Sequence, residues 1–288
     1  MKLSKGEVMN FEIDNTGCLT KYSGEGRHVE IPECVNSIGE GAFQDCRLKS
    51  VIIPESVTSI GKYAFDDCSW LESVIIPEGV TSIGPRAFWG CQSLQRLKIP
   101  KSVVSIGESA FLECYELQSM IIPEGVTSIA YQTFDGCFGL KTVIIPESVT
   151  SIGECAFSCC FKLESLIIPK GVQFIRECAF QACRGLERVT IPESVTSMYE
   201  GAFWDCSGLE SVIIENGVKS IGENAFRDCT SLTTVTIPVS IVELSSSSFH
   251  GCNKLEFIVV DNEDERIRVC ALLPTALQAK VITRDAYQ

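Results

Sequence analysis

Phenylalanine recurs through most of this chain at one fixed interval, and this repeat limits the possible folds more than any other feature. The interval is 23 residues after a first step of 22, and each of the ten Phe residues is followed three residues later by a Cys. A unit this short cannot bury its own apolar residues, so neighbouring units must stack and share one core. The repeated residues are Phe43, Phe65, Phe88, Phe111, Phe134, Phe157, Phe180, Phe203, Phe226 and Phe249.

Within one repeat, the apolar positions change from a strand pattern to a turn pattern. Val74 and Ile76 share one face by the period of two, which predicts a short strand, and the proline that follows ends it. Residues 80–83 predict a second apolar segment that returns along the other side of the coil. The three-residue spacing of Phe88 and Cys91 then predicts one short helical or 3₁₀ turn that carries Phe88 into the core.

The repeat Leu-x-x-Val-x-Ile-Pro-x-x-Val-x-x-Ile-Gly-x-x-Ala-Phe-x-x-Cys resembles the BspA-like class of leucine-rich repeat, over about residues 29–260. The resemblance implies an α/β fold: a right-handed leucine-rich-repeat solenoid with a parallel β-sheet on one side, and short strands and short helical or 3₁₀ turns elsewhere. It also implies a binding role, often at bacterial or protist cell surfaces, and no catalytic residues. At the Gly position the chain has Ala130, Arg176, Tyr199 and Ser245, so this position should not require a positive φ.

The chain is expected to form a single repeat domain without a linker. Residues 1–28 hold two alternating runs around Asn15-Thr16-Gly17, which predicts an N-terminal hairpin cap. Residues 29–260 hold about ten repeats. Residues 261–288 predict a C-terminal cap, in which the helical spacing of Leu277 and Val281 favours a helix over the last strand edge.

The charge balance argues against nucleic acid as a partner. The chain has 24 Lys+Arg against 37 Asp+Glu, a net charge of −13, whereas a phosphate-binding surface needs clustered cations. Polar residues occupy the place of a signal peptide's apolar region, and no apolar run reaches the roughly 18 residues of a membrane span. The sequence therefore predicts no membrane insertion and a cytoplasmic protein, with the cell surface as the alternative that the resemblance implies.

The ten repeated cysteines form what we call the thiol ladder, and we interpret them as buried structural thiols where only a small side chain fits. A metal site is disfavoured because a linear stack does not converge and the chain has no CxxC pair. Disulfides between neighbouring coils are geometrically conceivable, but without a secretory signal we expect reduced thiols. The ladder comprises Cys46, Cys68, Cys91, Cys114, Cys137, Cys160, Cys183, Cys206, Cys229 and Cys252.

Six further cysteines lie off the ladder, and two of them share a repeat position. Cys155 and Cys178 are 23 residues apart, so they occupy equivalent positions on adjacent coils. They form the best-placed extra pair, although each can also be a simple replacement for a small residue such as Ser109. The adjacent Cys159 is a weaker candidate, since its neighbour Cys160 belongs to the ladder.

Conventional catalysis is hard to build from this sequence. His250 follows the last repeat Phe and His28 precedes the first repeat strand, and both are interpreted as structural or surface residues; the chain has no other His. Nucleophile-elbow, phosphate-loop and zinc-protease motifs are missing. The acidic segment 261–265 lacks the Gly and terminal Glu of a calcium loop. We therefore expect no enzyme activity, no metal and no cofactor.

One row of residues should point outward from the sheet, and we call it the outer row. Seven of its ten members are aliphatic, and a β-branched stripe of roughly 45 Å is larger than a monomer usually leaves bare. This predicts a protein or peptide partner on the sheet face. Two alternatives stay open: the isoleucines only satisfy β propensity in a duplicated repeat, or they mediate homo-oligomerisation of a structural, self-assembling element. The outer row is Ile52, Ile75, Lys98, Ile121, Ile144, Ile167, Thr190, Ile213, Thr236 and Val259.

Overall fold

The computed structural model describes residues 10–287, so the predicted lack of a signal peptide concerns residues that lie mostly outside the described range. Each repeat forms one coil: a long strand, a proline corner, a short strand and a turn that contains the Phe. Strands of successive coils pair in parallel, and the predicted leucine-rich-repeat solenoid is confirmed.

The long strands stack in parallel along one side of the solenoid. In β7, Val74 is in register with Val51 of the preceding coil and Leu97 of the next, and all three side chains are buried. Because side chains alternate along a strand, the next residue faces solvent. The long strands are β3 (His28–Glu30), β5 (Ser50–Ile52), β7 (Ser73–Ile75), β9 (Arg96–Lys98), β11 (Ser119–Ile121), β13 (Thr142–Ile144), β16 (Arg188–Ile191), β18 (Ser211–Ile214), β20 (Thr234–Thr236) and β22 (Phe257–Val260).

The short strands form a second parallel array on another side of each coil. Each has two residues, of which the second is buried in the core, as Ile83 is in β8. The short strands are β4 (Ser37–Ile38), β6 (Ser59–Ile60), β8 (Ser82–Ile83), β10 (Ser105–Ile106), β12 (Ser128–Ile129), β14 (Ser151–Ile152), β15 (Phe174–Ile175), β17 (Ser197–Met198), β19 (Ser220–Ile221) and β21 (Glu243–Leu244).

Neither array is continuous along the whole solenoid. Strand pairing stops between β9 and β11 on the long side and between β10 and β12 on the short side. A second break affects the long side alone. There, residues 165–168 form only one isolated bridge, between Ser165 and Thr142, and no described backbone hydrogen bond joins them to residues 188–191. The long-strand sheet is therefore open between these two coils.

The repeated Phe side chains form the centre of the core. Nine of them are completely shielded from solvent, and Phe249 in the last coil is 4% exposed. Neighbouring rings are stacked, with centroids separated by 4.9 Å between Phe43 and Phe65 and by 5.6 Å between Phe226 and Phe249. The predicted inward direction of these residues is confirmed.

The Phe segments are hydrogen-bonded turns rather than the helical turns predicted from the spacing. The N–H of Cys91 donates to the carbonyl of Phe88, a bond of the i to i−3 type, but Arg86 and Gly90 have positive φ and interrupt any helix. The Gly position of the repeat, such as Gly84, is not among the residues with positive φ, in line with the prediction. The left-handed residue lies two positions later.

A hairpin precedes the coils. Strands β1 (Phe11–Ile13) and β2 (Cys18–Tyr22) pair antiparallel, and β2 then pairs with β4 of the first coil. The Tyr22 ring lies 5.3 Å from the Phe43 ring and so continues the aromatic stack. This segment shields the first coil from solvent.

The C-terminal segment adds helices and one more strand. Helix α1 (Glu263–Leu272) begins with Asn262, whose side-chain oxygen accepts from the Glu265 N–H at 3.0 Å, a good N-cap. Helix α2 (Thr275–Gln278) ends before Val281, so the predicted helical pairing of Leu277 with Val281 is wrong. Val281 instead begins β23 (Val281–Thr283), which extends the long-strand sheet beyond β22, and α3 (Arg284–Tyr287) follows.

Candidate functional site: the outer face of the long-strand sheet

The structure places most of the outer row on the solvent side of the long-strand sheet. Its isoleucines are 46% exposed at Ile52 and 79% exposed at Ile167, while the residues beside them in each strand are buried. Register is kept between paired coils, as between Ile121 and Ile144. The exposed members are Ile52, Ile75, Lys98, Ile121, Ile144, Ile167, Thr190 and Ile213.

The row ends at the C-terminal cap. Thr236 is half-buried, and Val259 is only 4% exposed, so the expectation that Val259 faces solvent is wrong. Strand β23 pairs with β22, which carries Val259, and the ring of Tyr287 in α3 meets Phe257 edge-on at 5.4 Å. The C-terminal segment thus packs around the last long strand and leaves the row free from β5 to β18.

A row of carboxylates borders the outer row, and we call it the acidic row. In the coils of the exposed outer row, it occupies the first position after the proline. Lys101 and Lys170 replace Glu in two of these coils, and the coil of Ile213 has Glu215 and Asn216 in place of Pro and Glu. The two rows are adjacent, because Lys98 of the outer row lies 3.4 Å from the carboxylate of Glu78. The acidic row is Glu55, Glu78, Glu124, Glu147 and Glu193, all exposed.

A shallow groove lies where the long-strand sheet is open. It has a volume of about 350 Å³ and is lined by apolar side chains, including Leu166, Ile167 and Val189. Lys170 and Arg188 also line it, as do Glu147 and Glu215, so charges of both signs surround an apolar floor. The groove interrupts the flat face between Ile144 and Ile213.

The thiol ladder is almost entirely inside the protein. Nine of its ten cysteines are buried, and each of these donates its thiol to the carbonyl of the Phe in the preceding coil, as Cys91 does to Phe65 at 3.2 Å. Burial raises the pKa of the Cys91 thiol well above its ordinary value. Cys46 differs, since it is half-buried and borders an open groove beside residues 23–27.

The off-ladder cysteines lie nearer the surface. Cys155, Cys159 and Cys178 are half-buried and have positive φ in the Phe turns. Burial, followed by the charge of Cys178, raises the pKa of Cys155 to about 12. The remaining three are Cys18 and Cys270, half-buried, and Cys34, exposed.

The described residues show no arrangement for metal binding. Within residues 10–287, no three His, Cys, Asp or Glu side chains are grouped so that they could hold a metal ion. His28 contacts the Ser50 hydroxyl at 2.8 Å on the surface, far along the chain from the exposed His250. None of the helices described in this range has the length and the apolar composition of a membrane-spanning segment.

A second aromatic stack, which was not predicted from the sequence, lies on the surface. The rings of Tyr115 and Phe138 lie 4.6 Å apart, those of Phe138 and Phe161 lie 4.9 Å apart, and the Arg184 guanidinium covers Phe161 at 4.9 Å. The signal was present, because these four residues follow one another at the repeat interval of 23. Phe138 therefore has a neighbouring ring on each face.

Comparison with known proteins also indicates a leucine-rich-repeat protein. The family model described as BspA type leucine rich repeat region matches residues 36–163 and 150–273, with six copies. A leucine rich cell surface protein from Faecalibacterium prausnitzii is 28% identical with a TM-score of 0.50, and the match covers 90% of this chain and 94% of that one. A leucine-rich repeat protein from Bacteroides ovatus is 25% identical with a TM-score of 0.61, covering 92% of this chain and 87% of that one.

A leucine-rich repeat protein from Eubacterium ventriosum shares the fold, at 21% identity and a TM-score of 0.51, over 85% of this chain and 79% of that one. No curated protein sequence matches the chain. The family match extends from the first coils into the C-terminal helix and agrees with the coil geometry described above. The chain therefore belongs to the BspA-type leucine-rich repeat family.

Proposed function

We propose that this protein is a non-catalytic binding scaffold that recognises a protein segment through the outer face of its long-strand sheet. The observation that carries the proposal is the outer row, with six isoleucines exposed at one repeated position. From Ile52 to Ile213 the row runs over roughly 35 Å. Lys98 and Thr190 interrupt the row, but Ile121, Ile144 and Ile167 follow one another without interruption. Clustered exposed apolar side chains of this kind are typical of interaction sites.

The charges beside the row indicate the chemistry of the partner. The acidic row places five carboxylates along one border, against two lysines at the same position. A partner segment with aliphatic side chains towards the outer row and Lys or Arg towards the acidic row would satisfy both surfaces. We therefore commit to a cationic, amphipathic protein segment as the occupant.

The test compares capture by the wild-type chain with capture by two double variants. Ile121→Lys with Ile144→Lys should abolish binding, because two charges would have to be desolvated at the centre of the contact. Thr127→Lys with Thr150→Lys adds the same charges at exposed residues beside the short strands and should bind normally. Captured proteins are identified by mass spectrometry, and the purified partner is then titrated against all three chains.

The proposal is supported only by a partner that the threonine variant captures and the isoleucine variant does not. Its affinity should fall with rising salt, and Glu124→Lys with Glu147→Lys should weaken it further. Equal binding by all variants would remove the sheet-face hypothesis. If the glutamate variant loses partner binding while the isoleucine variant binds normally, the binding site lies at the acidic row instead.

Self-association is the rival that the same surface could support. Size-exclusion chromatography with light scattering separates the two: a mass that doubles with concentration in wild type, and not in the isoleucine variant, would make a second copy the occupant. A constant monomer mass favours a different partner.

For location, we propose the cell surface over the cytoplasm. The support is the similarity to the cell surface protein from Faecalibacterium prausnitzii, over nearly the full length of both chains. Protease treatment of intact source cells should cleave the protein if it is exposed; full protection until the cells are lysed would contradict this location.

A further inference from the structure

Two of the off-ladder cysteines lie opposite each other on neighbouring coils. Cys155 follows Ile152 of β14 by three residues, and Cys178 follows Ile175 of β15 by three. Ile152 and Ile175 are in register in the paired short strands. Both cysteines have the same backbone conformation, with φ of 52° and 53°.

Backbone hydrogen bonds fix the separation of this pair. The Cys155 N–H donates to the Glu177 carbonyl at 2.9 Å, and the Phe157 N–H donates to the Ala179 carbonyl at 2.8 Å. The two Cα atoms are thus about one strand spacing apart, about 4.8 Å, which is within the range of disulfides. Parallel Cα–Cβ bonds leave the Cβ atoms about 1 Å farther apart than in an average disulfide, so closure needs a small inward movement of both turns.

Accessibility distinguishes this pair from the rest of the cysteines. The thiol ladder also places cysteines in register, but nine of its ten thiols are buried and bonded to Phe carbonyls. Cys159 is as accessible as Cys155, but its repeat neighbours are Gly136 and Ala182. Among residues 10–287, Cys155 and Cys178 are the only in-register pair in which both cysteines are half-buried rather than buried.

The pair joins the two coils whose long strands are unpaired. Cys155 belongs to the coil that continues into residues 165–168, and Cys178 to the one that continues into residues 188–191. These coils are bonded through their turns and short strands, but the groove opens between them on the sheet face. A covalent bond between the turns would therefore act on a contact between coils that lacks long-strand pairing.

We propose that Cys155 and Cys178 form a reversible disulfide when the protein meets a peroxide, and that this bond restricts opening of the groove. The Cys178 thiolate attacks one peroxide oxygen, the O–O bond breaks, hydroxide leaves, and Cys178 becomes a sulfenic acid. The sulfur of Cys155 then attacks the Cys178 sulfur, the S–O bond breaks, and its oxygen leaves as water with the thiol proton. Two electrons pass from the sulfurs to the peroxide.

The environment assigns these roles and sets the rate. Burial raises the pKa of both thiols, whereas the contact between them lowers the pKa of Cys178 and raises that of Cys155. Cys178 is therefore the better thiolate. Because little of either thiolate exists at neutral pH, oxidation should be slow there and should accelerate as the pH rises.

The experiment uses the full reduced chain, treated with hydrogen peroxide at neutral and alkaline pH and then alkylated after denaturation. Two of the 16 thiols should become unavailable to the alkylating reagent, and reductant should restore them. After tryptic digestion, peptide 142–162 should be linked to peptide 177–184. Fragment spectra then assign the bond among the cysteines of these peptides.

Serine variants provide matched controls, and Ser109 already occupies the equivalent position with φ of 54°, so serine is compatible with the turn. Cys155→Ser and Cys178→Ser should each abolish the link, and Cys159→Ser should retain it. A link that persists in Cys155→Ser or maps to Cys159 would overturn the assignment. A lack of any link between the two peptides at alkaline pH would also overturn the assignment. This holds whether or not the two thiols react with an alkylating reagent in the native protein.

Hydrogen exchange tests the effect on the groove. Amides of residues 165–168 and 188–191 should exchange at least several-fold more slowly in the oxidised chain, while those of β9 and β11, at the other break, should not change. Equal exchange in both redox states would refute the restriction of the groove even if the disulfide forms.

Discussion

Each coil contacts the next through its Phe turn on one side and through its long strand on another, and these two contacts differ along the chain. On the turn side, three backbone hydrogen bonds cross every boundary between coils from Gly41 to Asp205, such as Phe88 N–H to Ala110 O at 2.8 Å. On the sheet side, pairing is interrupted twice. The turns continue their bonds across both interruptions.

Burial explains why the backbone hydrogen bonds between the Phe turns are not interrupted. These bonds lie next to the stacked Phe rings and the thiol ladder, where an unpaired N–H or carbonyl would have no water to bond. Outer strand positions can exchange a lost bond for water. The turn bonds also offset backbone strain, because fourteen residues other than Gly hold a positive φ there, among them Tyr63 and Glu113. The turns thus hold the solenoid together, and the sheet face is free to vary.

The largest expected effect is on the turn side. Phe134 stacks on Phe111 at 5.4 Å and on Phe157 at 5.2 Å and is fully buried. Phe134→Ala should lower the free energy of unfolding by about 3–5 kcal/mol, because it leaves a cavity between two coils. Denaturant titration measures this. Phe138→Ala, in the surface stack, is the matched control and should cost much less; a loss below about 1 kcal/mol for Phe134→Ala would contradict the comparison.

The repeat interval alone predicts the inner positions of the coil. One residue type every 23 positions implies one environment in every coil, so Phe134 and Cys137 could be placed in the core without coordinates. Likewise, the substitution of Arg176 and Tyr199 for Gly predicts correctly that this position needs no positive φ. These predictions depend only on each repeat position having the same environment in every coil.

Structural features that differ from one coil to another could not be predicted from the repeat. Leu166, Ile167 and Ile168 match the strand pattern as well as any copy, yet they are not paired with the next coil. The positive φ at Tyr63 or Gln132 has no common residue type to indicate it. The burial of Val259 depends on the C-terminal segment, which lies outside the repeat.

The second expected effect concerns Asp66, in a Phe turn. One oxygen of its buried carboxyl accepts from Gln44 at 2.8 Å, and the other has no partner. Burial, with the neighbouring Asp67 adding repulsion, raises its pKa to about 6. Because the folded state binds the proton more tightly, Asp66 stabilises the fold most at low pH, and this contribution is lost as the pH rises through about 6.

Asp66→Asn should therefore be more stable than wild type by about 1–2 kcal/mol near pH 8 and similar to it near pH 4. Denaturant titrations of both chains at the two pH values give the difference directly. If the two chains differ in free energy of unfolding by the same amount at both pH values, the Asp66 carboxyl does not cause the pH dependence. If the wild type instead gains stability relative to the variant as the pH rises, the predicted sign is wrong.

The smallest expected effect is on the sheet face. Ile144 is 58% exposed, and Thr190 already occupies its position in another coil, so Ile144→Thr should change the free energy of unfolding by less than about 0.5 kcal/mol. Its neighbour Ile145 is buried, and Ile145→Ala should cost about 2–5 kcal/mol. Both are measured by denaturant titration at several protein concentrations. A cost for Ile144→Thr that grows with concentration would show that another copy covers this face, since an exposed side chain has no apolar contact to lose.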